Sequence, residues 1–128
     1  MDFKIKGENK QLNFGVRFVA DIDETEKYKT ESVSFGMGLM MAQQKLVMGN
    51  FPALVSIIKH ALYKDNVTED EVVDALDEYG EENELETLFA KIEEELKNSN
   101  AVRTSQARME KMSTEASRKK AAQKLTKK

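Results

Sequence analysis

From Asn50 to Leu96 the large apolar residues recur at helical spacing, and residues that start or stop helices bracket each recurrence. Leu54, Ile57, Ile58, Ala61 and Leu62 follow i, i+3, i+4, i+7, i+8, the pattern of a helix burying one face. Asn50 stands at the N-cap position, and Pro52 falls in the first turn, where a missing N–H removes no helical bond. Asp65-Asn66 closes that helix. Thr68 and Glu71 have the spacing of a capping box. Behind them Val72, Val73, Ala75, Leu76 and Tyr79 form a second stripe, with Gly80 as its expected end. Asn83 and Glu86 suggest another cap, followed by Leu85, Leu88, Phe89, Ile92 and Leu96. Ser34–Met48 has helical length and good helix formers, and Gly49 can take the left-handed conformation that ends helices.

The first residues have a different period. Phe3 and Ile5 alternate, as do Leu12, Phe14, Val16 and Phe18, around a turn-like Gly7-Glu8-Asn9-Lys10, which predicts a hairpin. Phe14, Phe18 and Ile22 are also spaced by four. The expectation is therefore a strand to about Phe14, a short helix from Val16 to about Glu24, and a loop over Glu24–Glu31. The fold class is mainly α (α+β): a small N-terminal β-hairpin followed by four or five packed helices. Residues 1–98 form the domain, enough for a modest core, and residues 99–128 a basic, flexible tail where apolar periodicity fails.

Charge follows the same division. Residues 101–128 hold nine basic residues against Glu110 and Glu115, a net +7; the remaining eleven basic and 21 acidic residues leave −10 on residues 1–100. The chain has no Cys and one His, so disulfides, thiolate metal sites and Cys nucleophiles are excluded. The opening MDFKIKGENK lacks a signal-peptide core, and the apolar stretch Phe35–Met48 is interrupted by Gln43, Gln44 and Lys45. The expectation is a soluble intracellular protein with no membrane partner.

Three motifs invite catalytic or ligand-binding readings. Asp21-Ile22-Asp23-Glu24-Thr25 has the Asp-x-Asp-x-Thr spacing of Mg²⁺-dependent phosphatases with an aspartate nucleophile. That chemistry needs a parallel sheet to present it, and this chain has no succession of strands and helices. A polar helix end or loop is the favoured reading. Gly36-Met37-Gly38 lacks the third glycine and the Gly-Lys-Ser/Thr of nucleotide loops, and suits close backbone approach better. The carboxylates from Glu69 to Glu95 lack a calcium-loop pattern and fall opposite the apolar stripes, as a solvated face does. His60 has no second His or Cys to share a metal. No catalytic residue, metal or cofactor is called for.

Two surfaces remain. Phe35, Met37, Leu39, Met40, Met41, Leu46, Val47 and Met48 form a methionine-rich face. It reads as core packing, or as a client-binding or self-association surface that accepts varied apolar partners. The basic residues Arg118, Lys119, Lys120, Lys124, Lys127 and Lys128 could neutralise phosphates or dock on acidic protein surfaces, including a neighbouring copy. The tail has no aromatic residue to stack on bases, so nucleic acid is not favoured.

One layout runs from Phe3-Lys4-Ile5-Lys6-Gly7 through Leu12-Asn13-Phe14-Gly15-Val16-Arg17-Phe18 to the apolar Phe35–Asn50 segment. Pro52-Ala53-Leu54, Lys59-His60-Ala61-Leu62-Tyr63, Thr68-Glu69-Asp70-Glu71-Val72 and the acidic helix Glu82–Leu96 complete it. This layout resembles the tail assembly chaperones of long-tailed phages and prophages of Gram-positive bacteria. The resemblance spans about residues 3–98. It implies a non-enzymatic protein of the host cytoplasm, absent from the mature virion, that coats and solubilises the tape measure protein and helps recruit tail tube subunits. It also implies self-association into spiral or filament-like oligomers, and a longer form made by ribosomal frameshifting, which the Lys-rich end Lys124-Leu125-Thr126-Lys127-Lys128 would suit. The alternative is a small regulatory protein that binds nucleic acid through its basic tail.

Overall fold

The structure, a computed structural model, describes residues 1–27 and 37–112, with the backbone alone at residues 26 and 27. Strands β1 (Asp2–Ile5) and β2 (Glu8–Gln11) pair antiparallel, with Ile5 opposite Glu8 and Asp2 opposite Gln11. Helices α1 (Val16–Lys27), α2 (Met37–Val47), α3 (Phe51–Ala61), α4 (Glu69–Glu82) and α5 (Leu85–Asn98) follow. Residues 100–112 form a further helix, α6, as far as the described residues run. The chain is mainly helical with an N-terminal hairpin, the expected class.

The hairpin turns earlier than the apolar alternation suggests. Lys6 and Gly7 both have positive φ, 51° and 79°, the two-residue turn whose twist matches paired strands. The second strand is therefore the polar Glu8–Gln11, and Leu12 and Phe14 are buried in the connector to α1. Val16, aligned with them by alternation, opens α1 and is 78% exposed. The four-residue period wins here: Phe14, Phe18 and Ile22 are all buried.

Three helix ends also differ from expectation. Helix α1 continues through Glu24 to Lys27, and residues 28–36 lie outside the described ones. Gly80 does not end α4, which runs to Glu82; a helical glycine costs only about 1 kcal/mol and does not by itself stop a helix. Asn83 is not the cap of α5. It is the C-cap of α4, and Glu84 opens α5 without a side-chain hydrogen bond.

The remaining caps fall as read. Asn50 Oδ1 accepts from Ala53 N–H at 2.9 Å, and the Thr68–Glu71 box is reciprocal, at 3.1 and 3.2 Å. Gly49, at φ +77°, terminates α2. The Asn50 N–H reaches the Lys45 carbonyl and the Gly49 N–H the Leu46 carbonyl, both at 3.0 Å, which satisfies carbonyls that a helix end would leave unpaired.

One apolar core joins these elements. It includes Phe3 and Ile5 of β1, Phe18 and Ile22 of α1, Leu39 and Leu46 of α2, and most of α3. Val72, Leu76, Leu88, Phe89, Ile92, Leu96 and Val102 also belong to it, as do Leu12 and Phe14 of the connector. Helix α1 packs chiefly on α2. Helix α3 contacts α1, α2 and α4, and β1 lies against α4. Val102 is fully buried, so α6 belongs to this core. Its first turn is tied down by Ser99, whose hydroxyl donates to the Phe14 carbonyl and caps the Val102 N–H at 3.2 Å. Gln106 also bonds Gln43 of α2 at 3.0 Å.

Candidate functional site

The Asp-x-Asp-x-Thr residues lie on helix α1, where a step of two residues turns a side chain through about 200°. Asp21 therefore pairs with Arg17 at 2.8 Å, while Asp23 Oδ1 accepts the Leu39 N–H at 3.2 Å. Thr25 Oγ1 lies 2.9 Å from His60 Nε2. Each takes its own structural partner, and Asp23 lies on the opposite side of α1 from Asp21 and Thr25, so the three do not converge on one point. His60 is half-buried. Its Nδ1 lies 2.6 Å from the Ser56 carbonyl, an acceptor, so Nδ1 donates and Nε2 can accept from the Thr25 hydroxyl. No group of His, Cys, Asp or Glu able to hold a metal occurs among the described residues.

Gly38 is the second residue of α2 and is buried. A Cβ there would meet the Asp23 carbonyl oxygen at 2.3 Å. Helices α1 and α2 thus touch backbone to backbone, and the Asp23 side chain from α1 caps the Leu39 N–H in the first turn of α2. This close approach is what the Gly-x-Gly reading anticipated at Gly38.

The methionine-rich face is divided by the helix that carries it. Leu39 and Leu46 are in the core, each 1% exposed. Met37, Met40 and Met41 are half-buried, and Phe35 lies outside the described residues. Val47 and Met48 are 72% and 84% exposed, because the left-handed Gly49 and the Asn50 cap turn the chain before either can fold inward. Phe51, 48% exposed, continues this apolar edge and meets Phe89 edge-on at 5.4 Å.

Beside that edge a groove of about 360 Å³ opens between α3, α4 and the start of α5, lined by Phe51, Pro52, Val55, Val73, Leu76 and Leu85, with Glu69 and Asp77 at its rim. A larger groove of about 890 Å³ runs along the start of α1 and the α5–α6 junction, past Val16, Val19, Tyr63 and Ala101. Helix α4 carries acidic residues in its first turn and no basic residue in its last. Lys6 to Glu71, at 2.8 Å, ties the hairpin to it, and Lys10 lies 3.6 Å from Asp65. The basic residues Arg118, Lys119, Lys120, Lys124, Lys127 and Lys128 lie outside the described residues.

A family model for the phage tail assembly chaperone protein, TAC, matches residues 2–111. The chain belongs to this family. The match takes in the hairpin, all five named helices and nearly all of α6 as described, so the core and both grooves are parts of a tail assembly chaperone. Membership points to a non-enzymatic role with tail proteins as the general class of partner. No curated protein and no solved structure matches the chain. No helix among the described residues is long and apolar enough to cross a membrane.

Sequence reasoning missed the tertiary cap by Asp23, the Thr25–His60 pair and the Ser99 anchor. A polar residue three before a buried valine, as in Ser99 and Val102, was the one available signal for the last.

Proposed function

We propose that this tail assembly chaperone binds the tape measure protein in the host cytoplasm, keeps it soluble, and helps recruit tail tube subunits around it through a frameshift-extended form. The observation that carries the reading is the family match over residues 2–111. The exposed apolar edge of Val47 and Met48, with the half-buried Met37, Met40 and Met41, supplies the client-binding face. Methionine adapts its shape to irregular apolar partners, and an exposed apolar cluster needs a partner to be covered. Several copies associate along the client, and their acidic bodies keep the coated complex soluble by net repulsion.

Co-expression with the large, helix-rich tape measure product tests the reading. The expected result is a soluble client that co-purifies with many copies of the chaperone, and loses them when Val47 and Met48 are both changed to Ser. An insoluble client beside a chaperone that ignores it sinks the proposal. Salt-sensitive DNA or RNA binding lost on removing residues 113–128 would then favour the nucleic-acid alternative.

A further inference from the structure

We infer that the groove between α3, α4 and α5 is the docking site for the basic segment 113–128 of a second copy of the chain. The inference rests on the self-association named above and is independent of the client. Two features of the groove define its occupant. Its floor is apolar, with Val73 40% and Phe51 48% exposed, and its rim is acidic, with Glu69 and Asp77. Asp70 and Asp74 of α4 are also exposed, whereas Glu78, Glu81 and Glu82 line a separate groove beside β1. Glu71 is the one α4 carboxylate in an ion pair among the described residues.

An occupant of complementary chemistry is short, basic and sparingly apolar. Residues 113–128 hold six basic residues against Glu115, a net +5, and their apolar members are Ala116, Ala121, Ala122 and Leu125. Ala121 and Leu125 stand four apart, the spacing of side chains that share one helix face. Lysines lie on both sides of them. Leu125 is the one large apolar side chain in the segment, and Lys120 and Lys124, close to it in sequence, carry the charge opposite to that of Glu69 and Asp77.

The segment comes from another copy because of where α6 is moored. Ser99 holds it at Phe14 and Gln106 at Gln43, on the α1–α2 side of the core, whereas the groove opens on the α3–α4–α5 side. A neighbour's segment reaches the groove without doubling back across its own core. Each copy then offers one groove and one segment. Such a head-to-tail contact propagates from copy to copy unless the rotation closes a ring.

Sedimentation of the full chain tests this. Self-association is expected to weaken at least about tenfold between about 50 and about 500 mM salt, as exposed charges are screened. Paired reversal of the rim, Glu69→Lys with Asp77→Lys, and paired reversal of the segment, Lys120→Glu with Lys124→Glu, are each expected to weaken it comparably. Placing all four changes in one chain is expected to restore it, because rim and segment are complementary again. Circular dichroism checks folding of each variant, and the neutral pair Glu69→Gln with Asp77→Asn serves if rim reversal unfolds α4. Self-association unchanged by either reversal, or a monomer at all salt concentrations, overturns the inference. A monomer that still keeps the client soluble overturns only this contact and leaves the chaperone reading standing. Restored self-association with an insoluble client does the reverse.

Discussion

At the scale of single residues, the contact between Gly38 and Asp23 decides how α1 and α2 meet. Gly38→Ala would gain helix propensity of about 1 kcal/mol. It would also drive a methyl group against the Asp23 backbone carbonyl, 2.3 Å from the ideal Cβ position. That contact involves backbone on both helices, so it cannot be relieved by a rotamer change. Net destabilisation of about 1–3 kcal/mol is expected, read as a lower urea midpoint. A midpoint that rises would show that the helices can separate at little cost. Glu71 offers a second test. The hydrogen bond from Lys6, then those involving Thr68, hold its carboxyl below the ordinary value of 4.5. A folded-state pKa below the unfolded one adds stability above pH 4.5, lost as pH falls through the folded value. Glu71→Gln should flatten that part of the pH profile, measured by thermal melts between about pH 3 and about pH 6. The roles of Asp23 and Thr25 were not legible in the sequence, because their partners, Leu39 and His60, lie on other helices.

Among the elements, caps carry their own local chemistry and were therefore legible. Asn50, Pro52 and the Thr68–Glu71 pair name both partners of each bond within a few residues, and all three sit where their spacing puts them. The end of α4 was not legible. Gly80 looks like a stop, yet α4 runs past it through the exposed Glu81 and Glu82 to its cap at Asn83. Thr68→Ala should cost about 1 kcal/mol, measured by denaturant unfolding, since it strands the Glu71 N–H at the helix start. Gly80→Ala should do the opposite. Its Cβ would meet Leu85 side-chain atoms at 3.5 Å, ordinary contact, and a helical glycine replaced without strain stabilises by about 0.4–1 kcal/mol. Loss of stability at position 80 would mean that the end of α4 needs glycine after all. The hairpin was visible as a hairpin but misplaced in register. Its second strand is polar, so only the Lys6-Gly7 turn, and not apolar alternation, sets the pairing.

At the scale of the whole molecule, the question is how far one cooperative unit extends along the chain. Apolar periodicity is strong up to Leu96 and thin afterwards, so α6 is nearly silent as a pattern. Val102 is its one buried side chain among the described residues, beside the half-buried Ala101, Ser105 and Met109, with Ser99 and Gln106 adding polar ties. The same sparseness leaves the acidic body and the basic end legible only as charge, since charge reports a surface and not the contact that covers it. Val102→Ala would remove methyl groups from a fully buried site and should destabilise by about 1–3 kcal/mol, the range for partial truncation of a core side chain. If α6 unfolds with the rest, the loss appears in a single transition seen alike by circular dichroism and by amide exchange at residues 100–112. If α6 docks as a separate unit, exchange over residues 100–112 accelerates first while the α3 and α5 amides keep their protection. The burial of Val102 beside a core that starts at Phe3 leads us to expect the single transition. Faster exchange confined to 100–112 in the unsubstituted chain would show instead that the cooperative unit ends near Leu96.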